Sequence, residues 1–178
     1  MTSASAHSEG KARPSRSPAP SLPRFETLDR THAQTLDMLA QFDRLLRHVD
    51  DNGPDAIARA SAQAIHDFFG ASARQHHAEE EQFVFPPLLD SDDAELVQHV
   101  RRLQQGHGWL EEDWLQLAPQ IEAIANGYNW YDLTMLRNAL PVFTALYHEH
   151  IGLEESLIYP EAKRHQQALQ QAAAARDD

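Results

Sequence analysis

The sequence predicts an all-α fold, an antiparallel up-down-up-down four-helix bundle with an internal pseudo-twofold repeat. Three observations lead there. Apolar residues recur at spacings of three and four, strong breakers interrupt them at Asn52-Gly53-Pro54, Pro86-Pro87 and Asn126-Gly127, and no alternating strand pattern occurs.

Residues 1–23 are rich in Ser, Pro and Ala and cannot bury a core, so a disordered tail is predicted, with His7 in it. The bundle domain is placed at residues 24–166. The first helix begins at Phe25, carries Leu28, His32, Leu36 and Leu39 on one face, and ends near His48–Asp51. The second starts after Pro54 and runs toward Phe85, with Ile65, Phe69, Ala73, His76, Glu80 and Phe83 on its stripe. Ser91-Asp92-Asp93 caps the third, whose face holds Leu96, Val100, Leu103, His107, Leu110 and Trp114, with a kink expected at Pro119. The fourth runs from about Tyr131 through Phe143, Tyr147, His150, Glu154 and Leu157, with a break expected at Pro141. Residues 167–178 are read as a frayed extension.

Composition excludes several classes. The formal charge of −12 argues against nucleic acid and anionic membrane as partners. The chain has no cysteine, which excludes disulfides, zinc ribbons and thiolate ligation and leaves histidine and carboxylate as metal ligands. No apolar run reaches membrane-span length, and the N-terminus lacks a secretory apolar core, so a cytoplasmic location is expected.

The eleven histidines need an account. HHAEEEQFVFP at His76–Pro86 and HIGLEESLIYP at His150–Pro160 share one pattern, and His76, Glu80 and Pro86 each recur 74 positions later. His32 and His107 are 75 apart and lie on helices that precede these two. In a helix, positions i and i+4 share a face, so His76/Glu80 and His150/Glu154 are two-ligand combs. Two hairpins related by a pseudo-twofold place His32, His76, Glu80, His107, His150 and Glu154 together in the bundle centre. A lone core histidine or one His-x-x-x-Glu pair is ordinarily structural. Repetition at shared spacing and face is what points to a site. Four imidazoles and two carboxylates suit two first-row metal ions, with the carboxylates bridging and the histidines at the ends.

Alignment on the prolines selects His76 over His77, which is expected to face a neighbouring helix or solvent. Tyr147 shares the face of His150 and is read in two ways: as core packing, or as a hydrogen-bond donor to a small ligand on the metal. Gly106 and Gly108 flank His107, either to admit neighbouring backbone or to tune the helix. His48, His66, His99, His148 and His165 are read as surface groups or neighbours of the ligands.

Over Phe25–Arg164, the paired H-x-x-x-E-E…P signatures, each after a helix with one histidine, resemble the hemerythrin/HHE cation-binding family. The resemblance implies a four-helix bundle holding a non-haem di-iron centre, with His32, His76, Glu80, His107, His150 and Glu154 as ligands. It implies a partner such as O2, NO or peroxide, and a role in sensing, stress protection or iron handling. The oxygen carriers of the family have an extra histidine one turn along a helix, whereas Leu103 and Glu111 stand four positions either side of His107. The four-His, two-Glu set looks more like the iron-centre repair and iron-sensing members, although the cysteine-bearing segment common in the repair proteins is absent. Two alternatives remain open: a di-iron oxidase, ferroxidase or peroxidase-like enzyme, for which the sequence shows no evident substrate pocket, and a structural or regulatory Zn or Mn clip.

Overall fold

The computed structural model describes residues 25–177, and the predicted tail at 1–23 lies outside them. Seven α-helices occur among the described residues: α1 (Phe25–Asn52), α2 (Ala56–Asp67), α3 (Ala73–Glu79), α4 (Pro86–Leu89), α5 (Ala94–Ala125), α6 (Leu133–Leu153) and α7 (Tyr159–Asp177). Wide π turns at Phe68–Ser72, Glu80–Val84 and Glu154–Ile158 join α2 to α3, follow α3, and join α6 to α7. The helices group into four arms, namely α1, α2 to α4, α5, and α6 with α7. Contacts run α1 to α2, α2 to α5, α5 to α6 and α6 back to α1, which closes a ring around one core.

Local chemistry sets the arm ends. Asp55 accepts from the Ala58 amide, Asp93 from those of Glu95 and Leu96, and Asp132 from that of Met135, so α2, α5 and α6 each begin at a side-chain cap. Gly53 and Gly127 close the preceding helices at φ of 69° and 74°, the left-handed region that a Cβ disfavours. The expected break at Pro141 does not occur, and α5 also runs through Pro119; both lie within assigned helix. Each ring removes one hydrogen bond, and packing on both sides outweighs that loss. The C-terminal extension is helical to Asp177, and residues 167–176 are exposed throughout. Ala and Gln propensity, without tertiary packing, accounts for it.

The π turns also correct the predicted faces. At 3.6 residues per turn, Phe83 and Leu157 belong to the inner stripes. Instead both are only partly buried, while Val84, Phe85, Ile158 and Tyr159 point inward. A π turn spends one extra residue per turn, as in the Phe85 amide bonding to the Glu80 carbonyl, and so hands the core to the next positions.

Two apolar clusters fill the bundle. The larger is built on Leu39, Phe42, Phe69, Trp114 and Phe143; the smaller contains Leu28, Phe85, Val100, Leu103 and Tyr159. On every arm the predicted ligands sit where one cluster gives way to the other: His32 between Leu28 and Leu39, His76 and Glu80 between Ala73 and Val84, His107 between Leu103 and Leu110, and His150 and Glu154 between Tyr147 and Ile158. A polar layer thus divides the core.

Phe42 is fully buried in the larger cluster. Phe42→Ala is expected to lower unfolding free energy by about 3–5 kcal/mol. Denaturant titration should show the midpoint falling with an unchanged m-value.

Candidate metal centre

The polar layer brings all six predicted residues together. His32, His76, His107 and His150 are buried, and Glu80 and Glu154 are 0% exposed. Glu80 Oε1 lies 3.4 Å from His76 Nε2 and 3.9 Å from His32 Nε2, while its Oε2 lies 3.4 Å from His107 Nε2. Glu154 Oε2 lies 3.2 Å from His32 Nε2, and its Oε1 lies 3.0 Å from His150 Nε2 and 3.8 Å from His107 Nε2. Each carboxylate therefore spans two histidine pairs, His32/His76 and His107/His150, with one oxygen toward each. Two four-residue groups with metal-ligand spacing result: His32, His76, Glu80, Glu154 and Glu80, His107, His150, Glu154.

Whether the residues fit cations is decided by their unsatisfied atoms. Both His76 ring nitrogens, His107 Nε2, His150 Nε2, Glu80 Oε2 and both Glu154 oxygens are buried without a hydrogen-bond partner. Orphaned polar atoms are rare in folded proteins, and here they converge. Burial and the charge of Glu154 push the Glu80 carboxyl up to about 7. Burial and the neighbouring imidazoles push His76 down to about 3. Burial also works against charge on His107, yet Glu154 and Glu80 outweigh it and push that imidazole up to about 10. Two buried carboxylates keep their charge only with cations between them, protons or metal ions. The site fits two metal ions, each with two imidazoles and a share in two carboxylates.

The second glutamate of each motif has its own place. His107 Nδ1 donates to Glu81 Oε1 at 2.8 Å, and His32 Nδ1 donates to Glu155 Oε1 at 3.1 Å. Carboxylates only accept, so both rings hold a proton on Nδ1 and present Nε2 to the cage. The contacts cross: the comb of each half holds the lone histidine of the other.

Sequence reasoning missed the roles of these two glutamates and of Tyr159, while His77 faces a neighbouring helix as expected. Tyr159 is buried, stacks on His32 at 5.2 Å between ring centroids, donates to Glu80 Oε1 and lies 3.2 Å from His32 Nε2. The π turn moved it inward; its place before Pro160, matching Phe85 before Pro86, was the available signal. His77 faces α5, where its ring stacks on His107 at 4.0 Å. Tyr147 is buried above His150 and packs against Phe69 and Phe143. Among the described residues, His48, His66, His99, His148 and His165 join no group with metal-ligand spacing. Of the two glycines, only Gly106 admits a neighbour: a Cβ there would stand 3.1 Å from His150 Nδ1, whereas one on Gly108 would meet nothing within 4 Å.

Comparison with known proteins agrees with this geometry. Residues 24–162 match the hemerythrin HHE cation-binding domain model, and the chain belongs to that family. An uncharacterized protein of Haemophilus influenzae is 25% identical over 133 residues, which cover 75% of each chain. No solved structure matches. Among the described residues, no helix is long and apolar enough to cross a membrane.

Glu81→Ala is expected to weaken metal binding by about 10–100-fold, because His107 loses its anchor. Glu79→Ala, which removes only a contact with Gln75, should leave affinity unchanged in competition with a chromophoric chelator. Gly106→Ala should likewise weaken binding by pressing on His150. Gly108→Ala should spare it while raising stability by up to about 1 kcal/mol in thermal melts.

Proposed function

We propose that this chain is a di-iron protein that binds or responds to O2, NO or peroxide, in sensing, stress protection or iron handling. The observation that carries it is the cage itself: four buried imidazoles and two buried carboxylates, drawn from all four arms, with seven buried atoms among them unsatisfied. Nitrogen and carboxylate donors without thiolate favour iron over softer metals, and zinc or manganese are the other first-row candidates for such a set. The arms are taken to run up-down-up-down, because short connections join them. A cytoplasmic location accords with the cysteine-free composition.

Iron, when bound, would supply redox change and a place for a small molecule. The protein's own residues do the rest. His32 and His107 are oriented by Glu155 and Glu81, so their nitrogens need no reorganisation on loading. Glu80 and Glu154 each face both histidine pairs and would hold the cations between them. The apolar clusters above and below shield the layer from those two sides, so charge inside it is strongly felt.

A second reading, a di-iron oxidase, gains support from a cavity of about 860 Å³ that reaches His107 from the surface. Multiple-turnover oxidation of Fe(II), or of an added donor by peroxide, would separate it from stoichiometric binding.

Anaerobic reconstitution should load about two iron ions per chain, with a near-ultraviolet bridge absorption after oxidation. Uptake of less than one iron would overturn the reading, and full folding with zinc but no response to O2, NO or reductant would favour a structural clip. Glu80→Ala and Glu154→Ala should each lose metal, measured by elemental analysis.

A further inference from the structure

The repeat is symmetric in its ligands and asymmetric around them. Moving 74 positions along the chain matches His77 with Ile151, Ala73 with Tyr147, and Phe85 with Tyr159. Each mismatch changes the chemistry on one side of the cage only. On the His32/His76 side, Tyr159 lies over His32 and spends its hydroxyl on Glu80, so protein groups finish that side. On the other side Phe85 stacks on His107 without a polar tip, and the open face is taken by His77 and Tyr147.

That face borders the cavity of about 860 Å³, whose floor includes His77, His107, Tyr147 and Trp114 and whose mouth carries the Arg74–Glu111 ion pair at 2.6 Å. The hydrogen bonds around the cage run through His32, His107, Glu80, Glu81, Glu155 and Tyr159. Among the described residues, none takes a His77 nitrogen or the Tyr147 hydroxyl. Tyr147 is buried and His77 half-buried, but neither the hydroxyl nor the imidazole nitrogens are sealed from solvent, so both stay open to a partner from the cavity. Here both end at one cavity wall beside a metal position.

His77, His107 and His150 also have nitrogens within 4.8 Å of one another, which raises the question of a fifth imidazole ligand. Direction excludes it in this arrangement. The His77 and His107 planes are 11° from parallel with centroids 4.0 Å apart, and van der Waals contact holds stacked rings about 3.5 Å apart. A metal bound in the plane of His107 lies well outside the plane of His77, whose lone pair points past it. His77 is placed to touch what the metal binds, not the metal.

We propose that His77 and Tyr147 form a hydrogen-bonding floor that grips a small acceptor-ended molecule or anion at the metal held by His107 and His150, leaving the metal held by His32 and His76 to protein groups alone. This rests on the di-iron reading above and names where its small ligand sits. The cavity is many times the roughly 30 Å³ of a water molecule, so size does not select the ligand. Selection falls to the polar pair: an imidazole and a phenol favour a ligand whose outer atom accepts hydrogen bonds.

Azide is the probe, on the full chain loaded with ferric iron. His77→Ile, which installs the residue found at the matching repeat position, and Tyr147→Phe are expected to keep iron stoichiometry and thermal stability. Each should weaken azide by about 3- to 10-fold. The antisymmetric stretch of bound azide should shift in D2O in the parent protein and lose that shift in the double variant, which a packing role would not do. Equal affinity and an equal D2O shift in all variants would overturn the proposal and leave the di-iron reading intact. Loss of iron, or of one coordinated nitrogen by electron spin-echo spectroscopy, in His77→Ile would make His77 a ligand and overturn it also. A parent protein that takes up no iron would fail the di-iron reading and the inference with it, whereas one that takes up two irons without binding azide would overturn the inference alone.

Discussion

Two fully buried carboxylates, Glu80 and Glu154, set the terms for the rest of this bundle. Left alone in an apolar core, each charge would cost several kcal/mol. The structure meets that cost by surrounding them with imidazoles from every arm and leaving the facing atoms unsatisfied for cations. Burial and the charge of Glu154 push the Glu80 carboxyl up, and against burial the two carboxylates push His107 up, so the layer favours bound cations. Metal binding is therefore tied to the packing of all four arms, and its free energy adds to that of folding.

The wide turns that begin at Glu80 and Glu154 are the local device that makes the layer compatible with a packed core. Each puts the carboxylate at the start of an i-to-i+5 turn and brings the residue just before the proline, Phe85 or Tyr159, under the cage. Those rings stack on His107 and His32. The adjacent glutamates, Glu81 and Glu155, remain near the surface and reach across to the same two histidines. One short motif thus supplies a comb, an anchor for the opposite lone histidine, and a ring that packs on it.

Repetition explains the set of cage residues, and departures from repetition explain why the two sides of the cage differ. Where both halves agree, the side chains are donors. Where they disagree, one side is closed by a phenol already bonded to Glu80 and the other meets a cavity. On the di-iron reading, such an arrangement would hold two ions similarly while exposing only one to a visitor, because access and hydrogen bonding depend on neighbours and not on the donors.

The sequence by itself determined the all-helical class, the breakers at Gly53 and Gly127, and the six cage residues. All of these depend on short-range spacing: i to i+4 on one helix, turn residues at arm ends, and a pattern written twice. Only the tertiary structure decided which residue follows each carboxylate inward, since a π turn leaves no mark in a 3.6-residue periodicity; Phe83 and Leu157 yielded to Phe85 and Tyr159 for that reason. It likewise decided the partners of Glu81, Glu155 and His77, which lie on other arms, and the cavity beside Tyr147, which no single helix contains. Contacts between distant arms depend on how helices are rotated about their axes, and rotation is set by packing the whole core at once.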